Sequence, residues 1–243
     1  MKNITLFALC FCLCKITIAQ EDKTYTTNLT VKWVPTGLIL GSLSFGGEYN
    51  FGRRSSLTAK IGIPVAATHS FEYEGEDADF KMKATSFLAG YRIYLSKKHM
   101  KGLYVEPFFK YVYHTSEGSA SSTLNDRPAK MNFFNNYNGV GIGAQLGAQF
   151  MIGKRFVIDL FFLGPEINAA SNKFRSVETS SLIPWTEFEA ADARRDILDF
   201  IDQFPFLRNK TEVMVDNNNK TVTANFKGAL PGIRTGISFG LAF

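Results

Sequence analysis

Several ingredients are scarce in this sequence, and each shortage removes a class of protein. The only cysteines, Cys10, Cys12 and Cys14, all precede Lys15, so the rest of the chain has no disulfide framework and must be held by packing and hydrogen bonding. Histidine is limited to His69, His99 and His114. No HExxH, phosphate-binding glycine loop or paired CxxC is present, which leaves metallohydrolase, nucleotide-binding and thiol-redox chemistry without their usual carriers. Beyond the N-terminus no run reaches the roughly 18 uninterrupted apolar residues of a membrane-spanning helix. Charge is also modest: the formal value of +5 includes Lys2 and Lys15, both in the leader described next. The chain has no nucleic-acid footprint, and no such partner is expected.

The N-terminus has the layout of a secretory signal. Lys2 supplies a positive start, Ile4–Leu13 an apolar core, and Thr17-Ile18-Ala19 a small-residue cleavage pattern before Gln20. Residues 1–19 are therefore expected to be removed, leaving 20–243 as one domain. A lipoprotein anchor fits poorly, because bulky Leu9 and Leu13 precede Cys10 and Cys14.

Aromatic residues are abundant, at 14% of the chain with 23 Phe, and most sit in period-two alternation, the signature of strands. Leu29, Val31 and Trp33 open the series. Leu43–Phe51, Leu57–Ile63, Phe87–Leu95, Val105–Tyr113, Val140–Phe150, Phe156–Phe162 and Ile233–Phe243 continue it. These are eight candidate strands, each near the roughly 9–11 residues that cross a bilayer at a tilt. The apolar face of each is bulky, and the other face is Gly, Ser, Ala, Gln and isolated charges. A soluble eight-stranded barrel could not hold the bulky face inside, since its interior is only just wide enough for side chains. Turned inside out, lipid takes the bulky face and the lumen the small and polar one. The fold class expected is all-β: a closed antiparallel transmembrane β-barrel of about eight strands.

That register puts Lys32, Lys60, Arg92, Lys110 and Arg234 in the lumen with Glu48, Glu106 and Asp159. A slip of one residue would move such a cation into hydrocarbon, at roughly 2–4 kcal/mol near the midplane. Buried charges require partners, so the eight residues are expected to form an interior salt-bridge plug; a selective pore is the alternative. Short turns at Gly52–Ser55, Ser96–Gly102 and Met151–Arg155 alternate with longer connections at Thr68–Phe80 and Thr115–Asn136, as periplasmic turns alternate with outer loops. Phe51, Phe150, Phe156 and Phe243 lie beside the short turns, where an aromatic girdle belongs. Whether Pro35–Gly41 turns or continues the first strand is open.

The widest gap between strands, Ser171–Leu230, is too long for an idle loop. Thr186-Glu187-Phe188-Glu189 is a capping box after Pro184, so a helix should begin near Glu187, with Phe188, Ala191, Ile197, Leu198 and Ile201 on one side and Pro205 ending it. Thr211–Val215 and Thr221–Phe226 flank Asp216–Lys220 as a hairpin. This helix-plus-hairpin insertion is expected outside the cell, as a lid or as a contact surface for a protein or glycan. The acidic run Glu72, Glu74, Glu76, Asp77 and Asp79 lacks calcium-loop spacing. No cofactor or metal site is expected. Arg53, Arg54, Lys97, Lys98, Lys101, Lys154 and Arg155 make the short turns basic, suited to headgroups or simply to water.

Three resemblances sharpen the picture. His114-Thr115-Ser116 faintly resembles the His-x-Ser of lipid A deacylase barrels, in which His activates Ser, but Glu117 stands where that family has Asn. Gly236-Ile237-Ser238-Phe239-Gly240-Leu241-Ala242-Phe243 resembles the insertion signal of Gram-negative outer-membrane barrels, which implies that Ile237, Phe239, Leu241 and Phe243 engage the barrel-assembly machinery. The layout is similar to OmpA/OmpX-like barrels, without the periplasmic domain of OmpA after Phe243. More narrowly, Gly46-Gly47-Glu48-Tyr49, Pro231-Gly232-Ile233-Arg234 and the insertion before the last strand resemble an uncharacterised Bacteroidota outer-membrane family, and Gln20 after Ala19 suits signal cleavage there. The resemblance implies an outer-membrane address with lipid as neighbour, and no known activity. A non-enzymatic surface-presenting barrel is the leading expectation; a lipid-modifying barrel enzyme and a narrow channel are the rivals.

Overall fold

Alternating side chains favour extended backbone whose two faces meet different surroundings, and in the computed structural model the described residues form ten strands. The structure describes residues 28–73, 76–96, 98–124 and 127–243. The leader with its cleavage site and cysteines lies outside them, as do Glu74, Lys97 and the side chains of Glu72, Glu76 and Asp77. The strands are β1 (Leu29–Val34), β2 (Ser42–Asn50), β3 (Ser55–Pro64), β4 (Ala67–Tyr73), β5 (Glu76–Tyr94), β6 (Gly102–Leu124), β7 (Arg127–Ile152), β8 (Phe156–Glu178), β9 (Thr211–Asp216) and β10 (Thr221–Ala242). Eight of them close an antiparallel ring in the order β1-β2-β3-β5-β6-β7-β8-β10, with β10 returning to β1. At the seam the Phe243 amide donates to the Leu29 carbonyl at 2.8 Å, and the Leu29 amide donates to the Phe243 carbonyl at 3.3 Å. A closed ring satisfies every backbone group without water, the condition for a sheet in hydrocarbon.

The faces sort as an inside-out barrel. Val31, Phe45, Ile61, Phe87, Phe109, Ile142, Ile167 and Leu241 are exposed outward, while Lys32, Glu48, Arg92, Glu106 and Asp159 are buried within. Tyr49, Phe51, Tyr91, Phe156 and Phe243 are exposed near the short-turn end, and Phe51 and Tyr91 meet at 6.0 Å between rings. Across the ring, large inward side chains face glycine. Lys32 pairs with Gly46 on one side and Gly240 on the other. A Cβ at Gly147 would lie 2.3 Å from the Tyr104 hydroxyl oxygen, and one at Gly90 would lie 2.6 Å from Glu106 Oε1. The narrow lumen holds its large polar groups only because their neighbours have no side chain.

The long connections differ from expectation. Thr68–Phe80 and Thr115–Asn136 are not loops: β4 pairs with β5, and β6 with β7 as far as Leu124↔Arg127, so strands continue well past the apolar band. At about 3.3 Å per residue, the β6–β7 hairpin extends roughly 36 Å along its strands beyond Tyr113. The result is a wall, ordered β4-β5-β6-β7-β8-β10-β9, standing on one side of the barrel mouth. The hairpin read at Thr211–Val215 and Thr221–Phe226 is present as β9 and the start of β10, whereas the wall segments of β4 to β8 were disguised by a mostly polar composition. Phe80, Phe133 and Phe174 stack on the inner face of the wall but are too sparse along each segment to read as alternation. Outward residues at its base are Lys81, Lys83, Lys173 and Lys227, all exposed, and they mark where hydrocarbon contact ends.

Two irregularities shape the interior. Pro35–Leu40 is a 3-10 turn ending at Gly41, whose φ is 72°. This answers the question left open at Pro35–Gly41: the first strand stops at Val34. The Gly41 carbonyl accepts from Val65 and Ala84 amides at 3.0 and 2.9 Å, so it sits between the end of β3 and β5. On β8, both neighbours lose register at the same place: Gly147 and Gly236 pair with Phe161, whereas Leu146 pairs with Leu163 and Arg234 with Gly164. The extra residue at Phe162–Leu163 is a bulge that reverses strand parity, turning Glu166 and Asn168 inward.

The expected helix is α1 (Glu187–Asp202), with its capping box in place. Pro205 does not simply end it but opens a second short helix, α2 (Pro205–Arg208). Because β8 runs to Glu178 and β10 starts at Thr221, the insertion between barrel strands narrows from 171–230 to residues 179–220. Trp185, Ala190 and Ala193 pack with Leu124, Ala129, Met131 and Val222 on the inner face of the wall.

Candidate functional site

The lumen divides into two tiers. In the lower tier Lys32 Nζ donates to Glu48 Oε2 at 2.6 Å, Gln149 Oε1 at 2.5 Å and Asp159 Oδ2 at 2.8 Å. Arg92 donates from Nε to Glu106 Oε2 at 2.7 Å, from Nη1 to Gln149 Oε1 at 2.7 Å and to Glu48 Oε2 at 3.2 Å, and from Nη2 to Asp159 Oδ2 at 3.0 Å. The remaining carboxylate oxygens are taken by hydroxyls: Tyr94 on Glu48 at 2.6 Å, Tyr104 on Asp159 at 2.7 Å, and Thr58 on Glu106 at 2.7 Å. Arg92 also stacks 3.6 Å from the Tyr104 ring centroid. Arg92, Glu48, Glu106 and Asp159 are all 0% exposed. Charged groups taken from water need this density of partners. Below them, the Met100 carbonyl accepts from Gln149 Nε2 at 2.9 Å, and Met100 is itself fully buried, filling the short-turn end.

The other three cations stand above this network. Lys110 pairs with Glu166. Lys60 Nζ lies 4.4 Å from the Phe161 ring centroid, and the Arg234 guanidinium lies 4.9 Å from the same centroid. Lys60 is buried, and its Nζ has no hydrogen-bond partner among the described residues. These groups line a cavity of about 320 Å³, whose walls include Val34, Leu88, Val112 and Phe161 and whose roof is the 3-10 turn at Thr36, Gly37 and Leu40. The eight charges read from the sequence therefore do not form one plug. Lys32, Glu48, Arg92, Glu106 and Asp159 come together; Lys60, Lys110 and Arg234 belong to the cavity.

Sequence reasoning missed Glu166, because only the bulge brings it inward. It also missed Tyr94 and Gln149, which alternation placed on the inner face without distinguishing their roles, and Tyr104, which lies one residue before the expected strand and inside β6. His114 and Ser116 share the inner face of β6, away from lipid, and His114 Nε2 is buried with no partner among the described residues. Ile237, Phe239, Leu241 and Phe243 occupy the outward face of β10, with Leu241 and Phe243 exposed.

A second polar cluster ties the insertion to the wall. Arg127, at the β6–β7 tip, donates from Nη1 to Glu178 Oε1 at 2.8 Å and from Nη2 to Glu189 Oε1 at 2.9 Å. Trp185 Nε1 donates to Glu178 Oε2 at 2.6 Å. Glu189 also closes the α1 capping box, accepting from the Thr186 amide at 2.9 Å. Hydrogen bonds from Arg127 above all, with those from Ser180 and Trp185, hold the Glu178 carboxyl down to about 2. Outside this clamp, Leu182, Ile183, Phe188 and Phe200 are exposed, and all four lie well beyond the apolar band.

No known family profile matches the sequence, and no curated protein matches it; the Bacteroidota resemblance has no support from either comparison. Among solved structures, the crystal structure of CarO from Acinetobacter baumannii, an outer-membrane β-barrel, is similar at a TM-score of 0.52 and 10% identity, over 92% of this chain and 100% of CarO. At that identity the likeness concerns fold, and the fold it shares with this chain is the closed antiparallel β-barrel.

Proposed function

We propose that this is an integral, non-enzymatic protein of a bacterial outer membrane, whose barrel anchors and presents the 179–220 insertion to a surface partner. The address is supported by the outward apolar band, the girdle beside the short turns and the CarO-like fold. The presenting role rests on one observation: a helix clamped to the wall by Arg127 leaves Leu182, Ile183, Phe188 and Phe200 exposed where no lipid covers them. Exposed apolar patches of this kind mark contact sites, and the partner that suits them is a protein with an apolar face. The lower tier fills the barrel cross-section with fully buried side chains, which favours an anchor over a channel. His114 and Ser116 point away from lipid, which speaks against acyl transfer on a membrane lipid.

The test is a strain whose only copy carries Phe188→Asp and Phe200→Asp, compared with a deletion strain and wild type. The variant should fractionate with the outer membrane and run faster unboiled than boiled, yet share the deletion strain's envelope permeability defect. Wild-type permeability in the variant, beside a defect in the deletion strain, would remove the presenting role.

A further inference from the structure

The cavity above the ion network has a chemistry that the anchoring role does not use. Its floor is the Phe161 ring, and two cations, Lys60 and Arg234, stand 4.4 and 4.9 Å from that one ring centroid. The ring quadrupole attracts each cation, but the two repel one another. The third cation, Lys110, is matched by Glu166, which also accepts from Asn168 Nδ2 at 3.3 Å. The acids beneath are committed as well: Glu106 to Arg92 and Thr58, and Asp159 to Lys32, Arg92 and Tyr104. Lys60 is 8% exposed and its Nζ has no hydrogen-bond partner among the described residues. A buried ammonium in that position is desolvated without a hydrogen-bonding partner. The third carboxylate of the lower tier and Glu166 Oε2, unbonded among the described residues, offset part of the charge. The five inward cations named above nonetheless face four acids, so the arrangement has room for one anion.

The remaining surfaces say which kind. Val34, Leu88 and Val112 present apolar walls, and Ser42, Ser44 and Ser86 hydroxyls gather about Gly62. A Cβ at Gly62 would lie 2.3 Å from Ser42 Oγ and 2.4 Å from Ser86 Oγ, so the glycine keeps the space open. A volume of about 320 Å³ lies at the lower end of small-molecule pockets. We propose that this cavity binds a small organic carboxylate, its charged end between Lys60 and Arg234 and its apolar body against Phe161 and the aliphatic wall.

The test uses the full mature barrel folded in detergent and benzoate as probe, read by titration calorimetry. Wild type should bind benzoate and not benzamide, its neutral counterpart. Lys60→Met should weaken binding by about tenfold or more, the scale for removing one partner of a buried charge pair. Lys60→Arg should retain binding, and the gel shift on boiling establishes that each variant is folded. Absence of benzoate binding by the folded wild type overturns the proposal. So does equal binding of benzamide, or unchanged binding in Lys60→Met. None of these results bears on the insertion, whose contact face lies outside the barrel.

Discussion

Arg92 illustrates how much one residue carries here. Its guanidinium meets Glu48, Glu106, Gln149 and Asp159 and stacks on Tyr104, so removing it leaves Glu106 without its ion-pair partner and Glu48 and Asp159 to Lys32 alone. Arg92→Met should lower stability by about 3–5 kcal/mol, the scale for breaking a buried ion pair from one side. The readout is a lower temperature for loss of the fast-migrating unboiled form; an unchanged temperature would show that the network is not what holds the lumen. Gln145 makes the opposite case. It is fully buried and neither amide atom has a hydrogen-bond partner among the described residues. Gln145→Met should therefore raise stability, by about 1–3 kcal/mol if the full penalty is removed, and a fall in that same temperature would refute the reading. Alternation in the sequence places Arg92 and Gln145 on the same inner face. It cannot tell the saturated group from the stranded one, because their partners come from strands far away in the chain.

Elements are held by different forces in the membrane and above it. Within the apolar band, ring closure and lipid contact suffice. In the wall, the outer face is polar, and the inner face is covered by α1 through Trp185, Ala190 and Ala193. Glu178 links the two through Arg127 and Trp185. Since its folded value is depressed to about 2 from an ordinary value near 4.3, its contribution is fully present above about 4.3 and disappears as pH falls through 2. In a Trp33→Phe background, Trp185 fluorescence should report docking of α1 that holds at neutral pH and is lost between about pH 4 and 2. Arg127→Ala should move that loss to higher pH, and a superimposable acid titration would remove Arg127 as the clamp. The bulge at Phe162–Leu163 is a second element-scale device. Deleting Leu163 would remove the extra residue and leave Gly164, Glu166 and Asn168 inward, so the barrel should still acquire heat-modifiable migration; loss of that migration would show that the bulge itself is needed for closure.

At the scale of the whole molecule, the two lumen tiers and the wall predict an asymmetric object. One end is filled by Met100 and the ion network, and the other opens beside a tall sheet carrying a helical cap. Reconstituted into planar bilayers, it should be silent at all applied voltages, because Lys32, Arg92 and their partners leave no path of water-filled width. Steady conductance would mean that the network opens. Replacing residues 179–220 by a short turn should leave a barrel that still migrates faster unboiled, since β1–β3, β5–β8 and β10 complete the ring without them; loss of the shift would make the insertion part of the barrel's own stability.

Much of this was legible before any tertiary structure. Period-two alternation with a bulky outward face and a glycine-rich inner one is a local property of each strand, and lipid and lumen impose it separately on every segment. The inside-out orientation, the strand register, the inward charges and the capping box at Thr186 follow from such local patterns. Only the folded chain decided the rest. The wall segments of β4 to β8 were hidden because polar residues can pair in sheets as well as line loops once another element covers one face, whereas the hairpin at Thr211–Val215 and Thr221–Phe226 was legible. Glu166 was hidden because a single added residue at Phe162–Leu163 reverses parity, and a bulge is recognisable only from the register of both neighbours. The sorting of the cations, Lys32 and Arg92 into a saturated network and Lys60 and Arg234 over one ring, depends on heights within the barrel. Those heights are set by the stagger of eight strands together, a quantity that no single segment contains.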